Sequence, residues 1–146
     1  MPLNAQVSKI QIGGKDQRIV QAVTDPAIYE KKGFTPPDGL EVQQENQGQN
    51  TLYGFLINIQ PQESQVVKIN YTLPQKINIS LPEISYDLRF FKQPGVDFYP
   101  YNFSLNFPAG FKTLDSSSDV KTSGNTATLS TQITRDKEMS VDLTAK

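Results

Sequence analysis

The chain has 146 residues, 36% hydrophobic and 10% aromatic, with 14 Lys+Arg against 15 Asp+Glu and a net charge of -1. That length supports a buried core, and that composition is not the one of a disordered segment. Cys, His and Trp are all absent, which excludes thiolate or imidazole zinc sites, cysteine nucleophiles and histidine general bases.

The Lys and Arg residues are scattered, so no basic stripe exists for a phosphate backbone and nucleic acid is not expected as a partner. No run of ~18 apolar residues occurs, so this segment is not expected to insert into a membrane. The opening MPLNAQVSKI lacks the basic and apolar regions of a signal peptide. This is the start expected of an intracellular protein or, the reading preferred, of a piece excised from a larger exported protein.

Along the chain the apolar residues recur at every second position, the period of a half-buried strand. VSKIQI and QRIVQAV flank GGKD, a hairpin whose glycines supply positive φ. The one break is Asp25 to Gly33, which predicts a short helix near residues 26-32: Asp25 as N-cap, Pro26 at the first position, Gly33 as the stop. TPPDG is a turn, and EVQQE is expected to pair with TLYGFLINI across the NQGQ tip. Tyr53, Phe55, Ile57 and Ile59 then alternate up to PQES, and Val67, Ile69, Tyr71 and Leu73 alternate beyond it. This predicts a second hairpin, ended by Pro74, which cannot donate to a ladder.

Further strands follow by the same period: Ile77, Ile79 and Leu81; Ile84, Tyr86, Leu88 and Phe90; Tyr99, Tyr101, Phe103, Leu105 and Phe107. A short strand near Asp119 to Thr122 precedes an SGN turn. Ala127, Leu129, Thr131 and Ile133 lead through TRDK to Met139, Val141 and Leu143. Many short strands with frequent turns and almost no helix predict an all-β antiparallel β-sandwich spanning residues 1-146 as one domain. Its topology is expected to be immunoglobulin-like, with a jelly roll as the alternative.

The candidate contact residues are Phe91, Lys92 and Phe98. KQPG at 92 to 95 reads as a type II turn, with Pro94 at its second position and Gly95 supplying positive φ at its third. Phe91 and Phe98 fall out of phase with the apolar faces of their strands, so they are expected to be exposed. Two exposed aromatics could present a platform to a sugar ring, against normal surface exposure. Tyr99 and Tyr101 share the phase of Phe103 and Phe107 and are expected in the core.

LDSSSD places Asp115 and Asp119 four apart, but reads as a solvated turn rather than a calcium loop. No cofactor or metal is expected. Asn70, Asn78 and Asn102 each head an N-x-S/T match, a pattern that alternation of polar residues on a strand face generates by itself. A Lys-Asn isopeptide crosslink would need a buried lysine, and the lysines here sit in polar phase or in turns.

YGFLINIQPQESQVVKINYTLP followed by ISYDLRFFKQPG resembles the C-terminal β region of large bacterial proteins of domain of unknown function 4012. The shared features are the aromatic-Gly strand at Tyr53-Gly54, the turn from Pro61 to Ser64, the strand end from Tyr71 to Pro74 and the turn from Lys92 to Gly95. The resemblance covers about a third of the chain, from Tyr53 to Gly95, and brings no catalytic residue. It implies a noncatalytic cell-envelope or extracellular domain. A protein or a cell-envelope polysaccharide is the expected kind of partner.

Overall fold

The computed structural model describes residues 1 to 146, whose contacts fall into two units, Met1-Lys76 and Ile77-Lys146. Each unit is built from two three-stranded sheets. Where the sequence reading expects one sandwich over the whole length, each unit therefore assembles its own pair of sheets.

In the first unit, Gly13 and Gly14 take φ of 56° and 80°. Positive φ at both central residues is what a type I′ turn needs. The turn joins β1 (Gln6–Ile12) to β2 (Lys15–Asp16) with Ile12 opposite Lys15. β3 (Ile19–Gln21) runs parallel to β4 (Leu40–Gln47), with Ile19 opposite Leu40. Between them lies α1 (Pro26–Tyr29), where the Asp25 carboxylate accepts from the Ala27 N–H at 3.0 Å. β4 turns at Gly48 (φ 59°) into antiparallel β5 (Asn50–Gly54). β6 (Val67–Thr72) pairs with β1, giving the order β2-β1-β6 beside the sheet β3-β4-β5.

The interior of this unit is small: Ala5, Ile10 and Val42, together with the side chain of Thr51. Thr51 is the one buried polar residue, and its hydroxyl is satisfied twice. It accepts from the Asn4 N–H and donates to the Asn46 side-chain carbonyl, each at 2.9 Å. The Tyr53 hydroxyl donates to the Ala5 carbonyl at 2.7 Å, which ties the N-terminal segment to β5.

The second unit has longer ladders. β7 (Glu83–Phe90) and β9 (Phe111–Ser116) flank β12 (Lys137–Ala145); β8 (Tyr99–Asn106) and β10 (Lys121–Ser123) flank β11 (Thr126–Ile133). All pairings are antiparallel. The inward residues of both sheets meet in one core of Ile84, Phe90, Phe107, Phe111, Val120, Ala127, Leu129, Met139, Val141 and Leu143. Tyr101, Phe103 and Leu105 pack against it from β8. Tyr86 of β7 stacks on Phe103 at 6.0 Å between centroids, and Phe90 meets Tyr101 at 4.3 Å. These contacts join the two sheets face to face, the arrangement of a β-sandwich. The architecture thus agrees with the all-β expectation at the level that immunoglobulin-like and jelly-roll topologies share.

Five local expectations are corrected. The strand within QRIVQAV does not pair back on VSKIQI across GGKD: the turn is Gly13-Gly14, Lys15 and Asp16 pair with β1, and β3 pairs parallel with β4 instead. The strands around PQES do not form a hairpin: β5 stops at Gly54 and pairs with β4, while β6 pairs with β1. The alternation from Phe55 to Ile59 and from Ile77 to Leu81 lies outside any ladder. A strand needs a partner for its N–H and C=O groups as well as a pattern, and the pattern alone does not supply one. The helix ends at Tyr29 rather than near residue 32, leaving a single turn capped by Glu30. Finally, β9 occupies Phe111–Ser116 and so takes in Leu114, Asp115 and Ser116 of LDSSSD, which the sequence reads as a turn. A register shift opposite Asp142 and Leu143 skips Leu114, and such a bulge hides the period of two.

Candidate functional site

Phe91, Lys92 and Phe98 lie where the chain leaves β7 and travels to β8. The alternation of β7 ends with Phe90 pointing into the core, so Phe91 must point away from it. Its exposure is 66%, and that of Phe98, just before β8, is 53%. Both out-of-phase aromatics are therefore on the surface, as their position in the period requires. Tyr99 and Tyr101 face the other way, half-buried on the core side of β8.

The connection is held by its own polar groups. Gly95 has φ of 80°, the value a type II turn demands after Pro94. The Lys92 ammonium donates to the Gln93 carbonyl at 3.2 Å and to the Val96 carbonyl, closing the turn on itself. The Lys92 N–H donates to the Asp136 carboxylate at 2.9 Å. The Tyr99 hydroxyl donates to the Phe91 carbonyl at 3.2 Å. Lys92 is thus a brace of the turn as much as a free cation.

Arg89 escapes notice in the sequence, although its signal is there. It sits two residues before Phe91, and on an extended chain positions i and i+2 share a side. Its guanidinium lies 5.1 Å from the Phe91 ring centroid, a cation–π contact, and 3.4 Å from the Glu138 carboxylate. The site is an exposed ring backed by a paired arginine, with a second exposed ring at the far end of a braced turn. A ring face of this kind offers stacking and CH contacts. Around it the Arg89 guanidinium is engaged with the Glu138 carboxylate, the Lys92 ammonium with backbone carbonyls and the Asp136 carboxylate with the Lys92 N–H.

The remaining candidates are not brought together. Asp115 lies on β9 and accepts from the Ser116 N–H at 2.8 Å, while Asp119 pairs with Lys137. That hydrogen bond holds the Asp119 carboxyl below the usual 3.8. No group of three or more acidic side chains is placed to hold a metal ion. Asn70 and Asn102 are exposed on β6 and β8; the Asn78 side chain accepts from the Ser80 N–H at 3.1 Å. No lysine is buried beside an asparagine, since Thr51 alone is buried among the polar residues.

One cluster in the first unit has no counterpart in the sequence reading. A groove of about 640 Å³ lies beside the end of β5, lined by Val23, Tyr29, Glu41, Phe55 and Leu56 among others. Within it the Glu41 carboxylate accepts from the Tyr29 hydroxyl at 2.6 Å and from the Val23 N–H at 3.1 Å. These bonds hold Glu41 below its usual 4.5 and raise Tyr29 above 10.0. Nothing in the spacing of α1 and β4 announces the pair, because only the parallel β3–β4 crossover brings α1 over β4.

No family model, curated protein or solved structure matches the chain.

Proposed function

We propose that the chain is a noncatalytic structural or interaction module of a bacterial cell-surface or extracellular protein, with immunoglobulin-like sandwich topology, presenting loops and strand edges to a partner. The observation that carries this reading is the division of labour in the second unit. Its core is one cluster of ten buried hydrophobic residues, while its out-of-phase aromatics stand on a braced rim. A filled core holds loops in place and leaves them as the surface available for recognition. The contact regions proposed are the loop from Gly95 to Phe98, the exposed NQGQ tip at 46 to 49 and the loop from Phe34 to Gly39. Support for the bacterial envelope comes from the resemblance of residues 53 to 95 to domain of unknown function 4012 proteins.

The test is cosedimentation of the purified chain with bacterial envelope fractions, before and after protease treatment. Binding that protease destroys supports a protein partner. No binding to any fraction overturns the reading.

Phe91 and Phe98 favour a second reading, a carbohydrate-binding module. Aromatic faces with polar neighbours stack on sugar rings, and both rings here are more than half exposed. A glycan array decides it: binding lost in Phe91→Ala and Phe98→Ala supports the module, and a blank array removes it.

A further inference from the structure

The first unit carries an open strand edge and, eight residues away in sequence, a strand-patterned segment that no ladder uses. β6 pairs with β1 along one edge, and no strand pairs with its other edge. Its sequence, VKINYT, contains no proline and a single charge, Lys68. Edge strands are usually blunted by charge, proline or a bulge facing the open side. The bulge of this pair lies on the β1 side, between Val7 and Lys9. The segment Phe55 to Ile59, FLINI, is uncharged and belongs to no ladder, and its Leu56 is 94% exposed. Tyr71 on the open strand is 48% exposed and Val66 at its entrance 74%.

The chain's own connection does not bring edge and segment together. Pro61 removes a donor directly after Ile59 and Gln60. Gln62 takes φ of 67°, the Glu63 N–H donates to the Gln60 carbonyl, and the Val66 carbonyl is held by the Gly13 N–H. Both halves of a strand pair are therefore present in every copy, and they are not paired with each other within it.

We propose that two copies of the chain associate by reciprocal strand addition, the Phe55–Ile59 segment of each copy extending the sheet of the other along the open edge of β6. This rests on the reading above that strand edges are presented to a partner, and it names that partner as a second copy. The exchange is twofold, so each chain donates once and accepts once. Main-chain hydrogen bonds supply the register, and the alternating side chains of FLINI meet Val67, Ile69 and Tyr71. Two five-residue strands bury less than the roughly 1,200 Å² of a standard interface, so the association is weak.

Sedimentation velocity over concentrations rising to about 1 mM, a range that detects weak complexes, tests this. The average mass is expected to rise towards that of a dimer. Two variants, Leu56→Pro and Ile57→Pro, each delete one N–H, and successive N–H groups of a strand point to opposite sides. One of the two is therefore expected to weaken association at least tenfold and the other less. Both positions lie outside any ladder, so both variants keep the wild-type melting midpoint.

A monomer at every concentration overturns the proposal, and so does a dimer that neither variant weakens. Should a variant unfold, hydrogen exchange of the wild type decides. Protection of residues 55–59 and 67–72 that grows with concentration supports the pairing. Protection already complete in dilute solution shows an intramolecular hairpin and overturns it. A monomer that still binds envelope fractions sinks self-pairing and leaves the proposed function standing; the reverse result does the opposite.

Discussion

In the unit from Ile77 to Lys146, β8 and β11 match residue for residue from Asn106–Thr126 to Tyr99–Ile133, and β7 and β12 match over eight pairs. In the unit from Met1 to Lys76, β2 has two residues, β3 three and β5 five. The first arrangement presses two broad faces together over a continuous core. The second buries only Ala5, Ile10 and Val42 and a hydrogen-bonded threonine. Both regions carry the same alternation of apolar residues. The difference teaches that a period of two marks a face able to be buried, and that the face is buried only where a second sheet of similar length lies against it.

The strongest test of that contrast compares two leucines. Leu129 is 2% exposed at the centre of the second unit, and Leu56 is 94% exposed in the first. Leu129→Ala is expected to cost about 3 kcal/mol in urea unfolding, from lost burial and the cavity left behind. Leu56→Ala is expected to stay within about 0.5 kcal/mol. Equal costs would break the comparison.

Gly39 tests the crossover that organises the first unit. Its φ is 144°, and a Cβ there would lie 2.5 Å from the Arg18 carbonyl oxygen and 3.1 Å from a Val20 methyl. Gly39→Ala is expected to destabilise the β3–β4 pairing by about 2 kcal/mol, since the backbone must shift to accept it. Hydrogen exchange at Leu40 and Ala22, whose N–H groups bond across that crossover, reads the effect locally.

Two threonines sharpen the contrast in polar satisfaction. Thr51→Val removes the partner of both the Asn4 N–H and the Asn46 carbonyl, at an expected cost of about 1–2 kcal/mol. The buried Thr113 hydroxyl on β9 has no hydrogen-bond partner. Thr113→Val is therefore expected to be neutral or to stabilise by up to about 1 kcal/mol. Thermal melts of the two variants should shift in opposite directions, or Thr113 not at all.

The smallest effect is electrostatic. Glu41 has its carboxyl lowered by the Tyr29 hydroxyl and then by the Val23 N–H. A lowered folded-state value means that its contribution is present above the unfolded carboxylate range and is lost as pH falls through the folded value. Tyr29 is raised, chiefly by Glu41, so its contribution is present below pH 10.0 and is lost as pH rises further. Tyr29→Phe should reduce the loss of stability on acidification, and Asp119→Asn, through Lys137, should do the same in the second unit. Urea midpoints measured from neutral to acid pH check both, and parallel curves for wild type and variants would refute the assignment.

From the residue order alone come the all-β class, the phase of β7, β8, β11 and β12, the positive φ of Gly13 and Gly14 and the outward direction of Phe91 and Phe98. Each depends on a local rule: side chains alternate along an extended chain, and glycine accepts positive φ. Tertiary structure decided which strands meet. It joined β6 to β1 instead of to its neighbour across PQES, left Phe55–Ile59 and Ile77–Leu81 without ladders, and set Tyr29 against Glu41. Pairing is a competition among distant segments for the same hydrogen-bonding edges, and a single chain read in order holds the pattern of each competitor but not the outcome.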